Sequence, residues 1–152
     1  MTAPSTDIVL PDTQSLAVRR EAIQGPFERS PFRLSFEFKS LSDGRSRMIG
    51  RSADGMTQLE LVGPPEALTG ALLKAQMPDD NKLAQVKNLN ALVNLARLAA
   101  PEWINAEAWV TDNIPTAFQD GRVTTSVEGR RVAMSALANT KTLILTITGP
   151  EL

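Results

Sequence analysis

Residues 79–100, DDNKLAQVKNLNALVNLARLAA, are the longest run in the chain with helical spacing and no Gly or Pro inside it. At 100° per residue, Val86, Leu89, Leu92, Val93, Ala96, Ala99 and Ala100 fall on one broad arc, with Leu95 beside it. Lys87, Asn90, Asn94 and Arg97 form a narrow polar stripe opposite. An apolar face this wide must be covered on most sides, so the helix is expected at the centre of the fold. Asp79, Asp80 and Asn81 offer N-caps and place negative charge at the positive end of the helix dipole. Pro101 stops the helix after Ala100, because proline disfavours the α conformation in the residue before it.

The chain before this helix reads as strands. Phe32, Leu34, Phe36 and Phe38 alternate with Arg33, Ser35, Glu37 and Lys39, the period of a strand with one buried and one wet face. This aromatic face is expected beneath the central helix. Ser42-Asp43-Gly44 and Ala53-Asp54-Gly55 are turn signals. They delimit a weaker strand over 45–53 and a third over 57–62. Residues 66–77 have helix-favouring composition but also alternate, Ala71, Leu73, Ala75 and Met77 against Leu72, Lys74 and Gln76. A strand there completes a four-stranded meander, and this is the expectation adopted.

After the helix, Pro101 suits the first position of a second helix, with Glu102 in its first turn and Pro115 ending or bending it. The last third reads as three strands, 122–127, 130–138 and 141–148, with Glu128-Gly129 and Asn139-Thr140 supplying the turns. The expected fold is α+β: an antiparallel sheet of six or seven strands in two meanders, with a central helix pair packed on one face. Residues 1–30 hold several of the prolines and no continuous core pattern. They are expected to form a partly ordered N-terminal arm beside a single domain over 31–152, and removing residues 1–24 is expected to leave a cooperatively folded core. Leu72, Leu137 and Ile144 fall on the sheet face away from the helices, a place for the arm or a second subunit to cover.

Composition narrows the chemistry. The 152 residues contain no Cys, His or Tyr. Thiolate nucleophiles, disulfides, Cys or His metal sites and His-based triads are therefore excluded. Any general acid or base has to be Asp, Glu or Lys. The formal charge of −1 and pI near 5.5 give no basic field for nucleic acid. No window approaches a membrane span. The first residues show neither a basic n-region nor an apolar h-region, which points to a cytoplasmic location.

Candidate contact residues follow from what is unusual. Asn88, in the middle of an apolar helix, calls for a backbone or ligand partner. Trp103 and Trp109, six residues apart, are expected on different sides of the second helix, lining a pocket or anchoring an interface. Phe36 and Phe38 are candidate walls of an apolar cavity between sheet and helix. Arg45, Arg47 and Arg51 have the odd spacing that puts them on one strand face. They form a possible anion contact, set against the plainer expectation of exposed edge charges. Arg130-Arg131 with Arg122 suggests a basic rim. No residue pattern calls for a cofactor or a metal ion. The expected function is a non-catalytic binding or adaptor module for a protein partner or for self-association. The alternative is a carrier of a small apolar ligand, and an enzyme using carboxylate, Lys, Ser or Arg chemistry ranks below both.

Overall fold

In the computed structural model, which describes residues 9–152, two of three helices pack on one face of a seven-stranded sheet and the third packs against one of them. The elements run α1 (Arg20–Glu28), β1 (Ser35–Ser40), β2 (Ser46–Arg51), β3 (Thr57–Val62), β4 (Gly70–Gln76), α2 (Lys82–Ala99), α3 (Ala106–Asp120), β5 (Arg122–Val127), β6 (Arg130–Leu137) and β7 (Thr142–Thr148). Every neighbouring pair is antiparallel, in the order β1-β2-β3-β4-β7-β6-β5. The two meanders thus join through β4 and β7. Both strands are buried on both faces, which explains why residues 70–76 lack a clean polar alternation.

The central helix is capped by Asn81, whose side chain accepts from the Ala84 amide at 3.0 Å. Asp79 and Asp80 lie in the turn before it. The buried stripe is Ala84, Asn88, Ala91, Leu92, Leu95, Ala96 and Ala99, with Val93. It is rotated from the expected arc: Val86 is 57% exposed and Leu89 half-buried. The small residues face β4 and β7 and let the helix backbone come close to the sheet, while α1 and α3 flank it. A hydrophobicity arc cannot register that alanines, rather than the larger Val86 and Leu89, hold the inner face.

Other expectations need correction. Phe36 and Phe38 do not lie beneath the central helix, because β1 is the sheet edge and α2 packs over β4 and β7. Phe36 is half-buried over Gly50, where an added Cβ would sit 2.5 Å from its ring. Phe38 is 58% exposed. The second helix starts at Ala106 after a turn over 101–105, so Trp103 precedes it. The helix continues through Pro115, which is exposed, so the ladder bond it deletes lies on the solvent side. It ends at Gly121, whose φ of 89° is the left-handed cap that glycine adopts at least cost.

The N-terminal expectation divides. Residues 1–8 lie outside the described residues. Residues 14–27 do not behave as an arm: Leu16, Val18, Ile23 and Phe27 are buried in the main core. The backbone is tied at Leu16 N–H to Leu68 O (2.7 Å), Leu68 N–H to Val18 O (2.9 Å) and Arg20 N–H to Pro65 O (2.9 Å). Gln14 donates to Pro150 O at 2.9 Å, and a Cβ at Gly149 would stand 1.9 Å from Gln14 O, so only glycine admits this crossing. On the second sheet face, Leu10 joins Leu41, Val62, Leu72 and Ile144 in a smaller apolar cluster. The chain's own Leu10 therefore helps cover Leu72 and Ile144, whereas Leu137 stays exposed.

Candidate functional site

The strands β5, β6 and β7 turn one face to α3 and the core and the other to a groove of about 560 Å³. Its floor follows from the register. Ser126, Arg131 and Thr148 form one row, Thr124, Ala133 and Thr146 the next, and Arg122, Ser135 and Ile144 the third. Leu10 and Pro11 make the wall on the β7 side. The β-branched threonines suit the strand backbone and at the same time present hydroxyls. Arg122 and Arg131 stand at opposite ends of the floor, roughly 13 Å apart along the strands at the usual rise per residue. Arg131 is exposed and pairs with Glu151 at 2.7 Å. The groove is thus a shallow surface of hydroxyls and small side chains, with Ile144 in its floor, the apolar Leu10–Pro11 wall on one side and a guanidinium at each end.

Of the residues singled out from sequence, Arg122 and Arg131 line this groove, and the others do not converge on it. Asn88 is fully buried inside the fold. Its Nδ2 donates to Gln76 O and its Oδ1 accepts from the Thr57 hydroxyl, both at 2.6 Å. The expected backbone partner is present, and the amide fastens α2 to β3 and β4. Trp103 and Trp109 are brought together rather than apart, with ring centroids 5.4 Å apart at 52°. Both are half-buried against the core where the turn enters α3. Phe36 and Phe38 sit on the far sheet edge. Around α2 the facing side chains Leu59, Leu73, Ala75, Leu92, Leu95, Leu143 and Leu145 are fully buried.

Arg45, Arg47 and Arg51 share one side of β2 and its approach, as their spacing requires, but they have different partners. Arg45 bonds Asp43 at 2.7 Å and donates to Leu10 O at 2.8 Å. Arg47 bonds Glu60 at 3.0 Å. Arg51 is exposed. The side chains of Arg45 and Arg47 are mostly buried, against the expectation of an exposed charged edge. Arg130 is no rim residue either. Its guanidinium is buried, donating to Leu16 O at 3.0 Å and to both oxygens of Glu102 at 2.6 and 3.4 Å. It clamps the N-terminal segment and the turn before α3 onto β6.

The acids with displaced titration are tied into such contacts. The Arg130 guanidinium, with the backbone amide of the residue itself, holds the Glu102 carboxyl below its ordinary range. Asp54 is held low by the Ser52 hydroxyl, the Met56 amide and Lys87. Asp43 is held low by the Arg45 amide and guanidinium. Among the described residues, no group of three or more Asp or Glu gathers in a geometry for a metal ion. None of their helices is long and apolar enough to cross a membrane.

Beyond Arg122 and Arg131, sequence reasoning missed the groove. Its signal was the alternation of hydroxyls in two separate stretches, Thr124 and Ser126 with Thr146 and Thr148, which only the pairing through β6 brings to one face. No protein-family model, no curated protein and no solved structure matches this chain.

Proposed function

We propose that the chain is a non-catalytic binding module that holds an extended segment of a partner polypeptide in the groove across β5, β6 and β7. The observation that supports this most is the floor itself: three strands carrying hydroxyls and small side chains, with Arg122 and Arg131 at the two ends. Such a surface suits backbone carbonyls and acidic side chains spaced along an extended chain. The near-neutral overall charge fits a local, short-range recognition rather than long-range steering. Asp43, Asp54 and Glu102 bond to neighbouring groups of the fold, which supports reading them as fold-holding rather than chemical.

A photo-crosslinking side chain placed at Thr124, compared with one at the exposed Gln119, tests this in the native cell. A discrete crosslinked protein is expected from Thr124 alone, and it is expected to disappear in the Arg122→Glu, Arg131→Glu variant. Equal crosslinking from both positions, or none from Thr124, rules the proposal out. The groove volume also lies in the range of small-molecule sites, about 300–1,000 Å³, which keeps a carrier role as the second reading. Native mass spectrometry of the chain purified from its own cell distinguishes the two, since only a carrier retains a small-molecule adduct.

A further inference from the structure

The other end of the sheet carries a different surface. β1 is an edge strand, with β2 on one side and, among the described residues, no strand on the other. Long edges are usually blunted, because their free N–H and C=O groups recruit other strands. Here the helix-side face of the edge presents Phe38, 58% exposed, in a row with Met48 and Leu61, which turn inward. The other face presents Glu37 and Lys39, both exposed and bridged to each other at 3.3 Å.

We propose that β1 pairs antiparallel with β1 of a second copy of this chain, about a two-fold axis that passes between the two Phe38 residues. The charges select this register. With the axis at Phe38, each Glu37 stands opposite Lys39 of the second copy and the two Phe38 rings meet on the helix side. Moved to Glu37, the axis opposes two carboxylates; moved to Lys39, it opposes two ammonium groups. Opposite charges facing each other across strands stabilise a pair, and like charges destabilise it. The isologous contact closes, so it yields a dimer with one continuous sheet rather than a fibre. It lies at the far edge of the sheet from the groove of β5 to β7 and leaves that groove free. The inference therefore stands or falls apart from the proposed binding function.

Sedimentation velocity over a concentration series tests the pairing on four chains: wild type, Glu37→Lys, Lys39→Glu and the double swap. Both side chains are exposed, so thermal melts of the four chains, taken dilute enough that all are monomeric, are expected to coincide. The wild type is expected to dimerise with rising concentration. Either single reversal creates two like-charge oppositions per dimer and is expected to weaken association by about tenfold or more. The double swap restores opposite charges and is expected to dimerise as the wild type does. An equimolar mixture of the two single variants is expected to form a heterodimer, since each supplies what the other lacks. A wild type that remains monomeric up to about 1 mM, a dimer indifferent to both reversals, or single variants that neither the swap nor the mixture rescues would each overturn the proposal.

Discussion

At the scale of single residues, the polar groups inside the fold determine more than their number suggests. Asn88 is the one amide on the inner stripe of α2, and its two bonds reach two different strands. Asn88→Ala leaves the Gln76 carbonyl and the Thr57 hydroxyl without this partner, and urea melts are expected to show a loss of about 1–3 kcal/mol. Asn88→Asp is expected to cost more, because a buried carboxylate repels the Gln76 carbonyl instead of donating to it. Leu95 and Leu89 separate the two possible rotations of the helix. Leu95 is fully buried and Leu89 only partly. Leu95→Ala is therefore expected to cost about 2–5 kcal/mol and Leu89→Ala clearly less, an order reversed from the one the hydrophobic arc implies. Equal losses would show that the helix sits between the two orientations. The sequence pointed to Asn88 as a residue needing a partner because asparagine is a poor helix former. It could not name the partner, because Thr57 and Gln76 meet it only through the pairing of β3 with β4.

Elements were legible where a period runs nearly unbroken. Thr57–Val62 and Thr142–Thr148 keep a period of two, interrupted only by Val62 and Ile144 on the outer face, and each is a strand in the structure. The ambiguous stretch 66–77 resolves into β4 because its neighbours on both sides, β3 and β7, are strands with matching registers. Local propensity in Glu66–Met77 carries none of that information. Pro115 does not end α3, although proline removes one ladder bond and crowds the preceding turn, because it lies on the outer side of the helix, where water reaches the freed carbonyl. The segment before β1 was the least legible. Leu16, Val18, Ile23 and Phe27 have neither strand nor helix spacing as a set, since the first two lie in irregular chain on either side of Ala17 and the last two in α1. Their burial follows from long-range ties to Leu68, Pro65 and Arg130. Removing residues 1–24 takes Leu16, Val18 and Ile23 out of the core. The truncated chain is expected to lose its cooperative thermal transition; a sharp melt close to that of the intact protein would return this segment to the status of an appendage.

For the whole molecule, acid is a probe of how the parts are tied together. Asp54 joins the β2–β3 turn to α2 through Lys87, and Glu102 joins the turn before α3 to β6 through Arg130. Both carboxyls titrate lower in the folded chain than their ordinary values of 3.8 and 4.5. The sign follows from linkage: each contributes stability that is fully present above the ordinary value and is lost as pH falls through the lowered folded value. Urea midpoints are expected to be flat near neutrality and to drop below about pH 4.5. In the Asp54→Asn, Glu102→Gln variant the midpoint near neutrality is expected to be lower and its drop in acid shallower. An unchanged acid slope in that variant would mean that other carboxylates govern the titration. The junction of β4 with β7 has one more consequence, which concerns synthesis. The nascent chain presents β4, the apolar centre of the future sheet, long before β7 is made, because α2, α3, β5 and β6 must all be translated in between. At about 5–20 residues per second on the ribosome, the first meander waits several seconds with its stickiest strand as an open edge. During that interval the open β4 edge is the part of the nascent chain most exposed to mispairing.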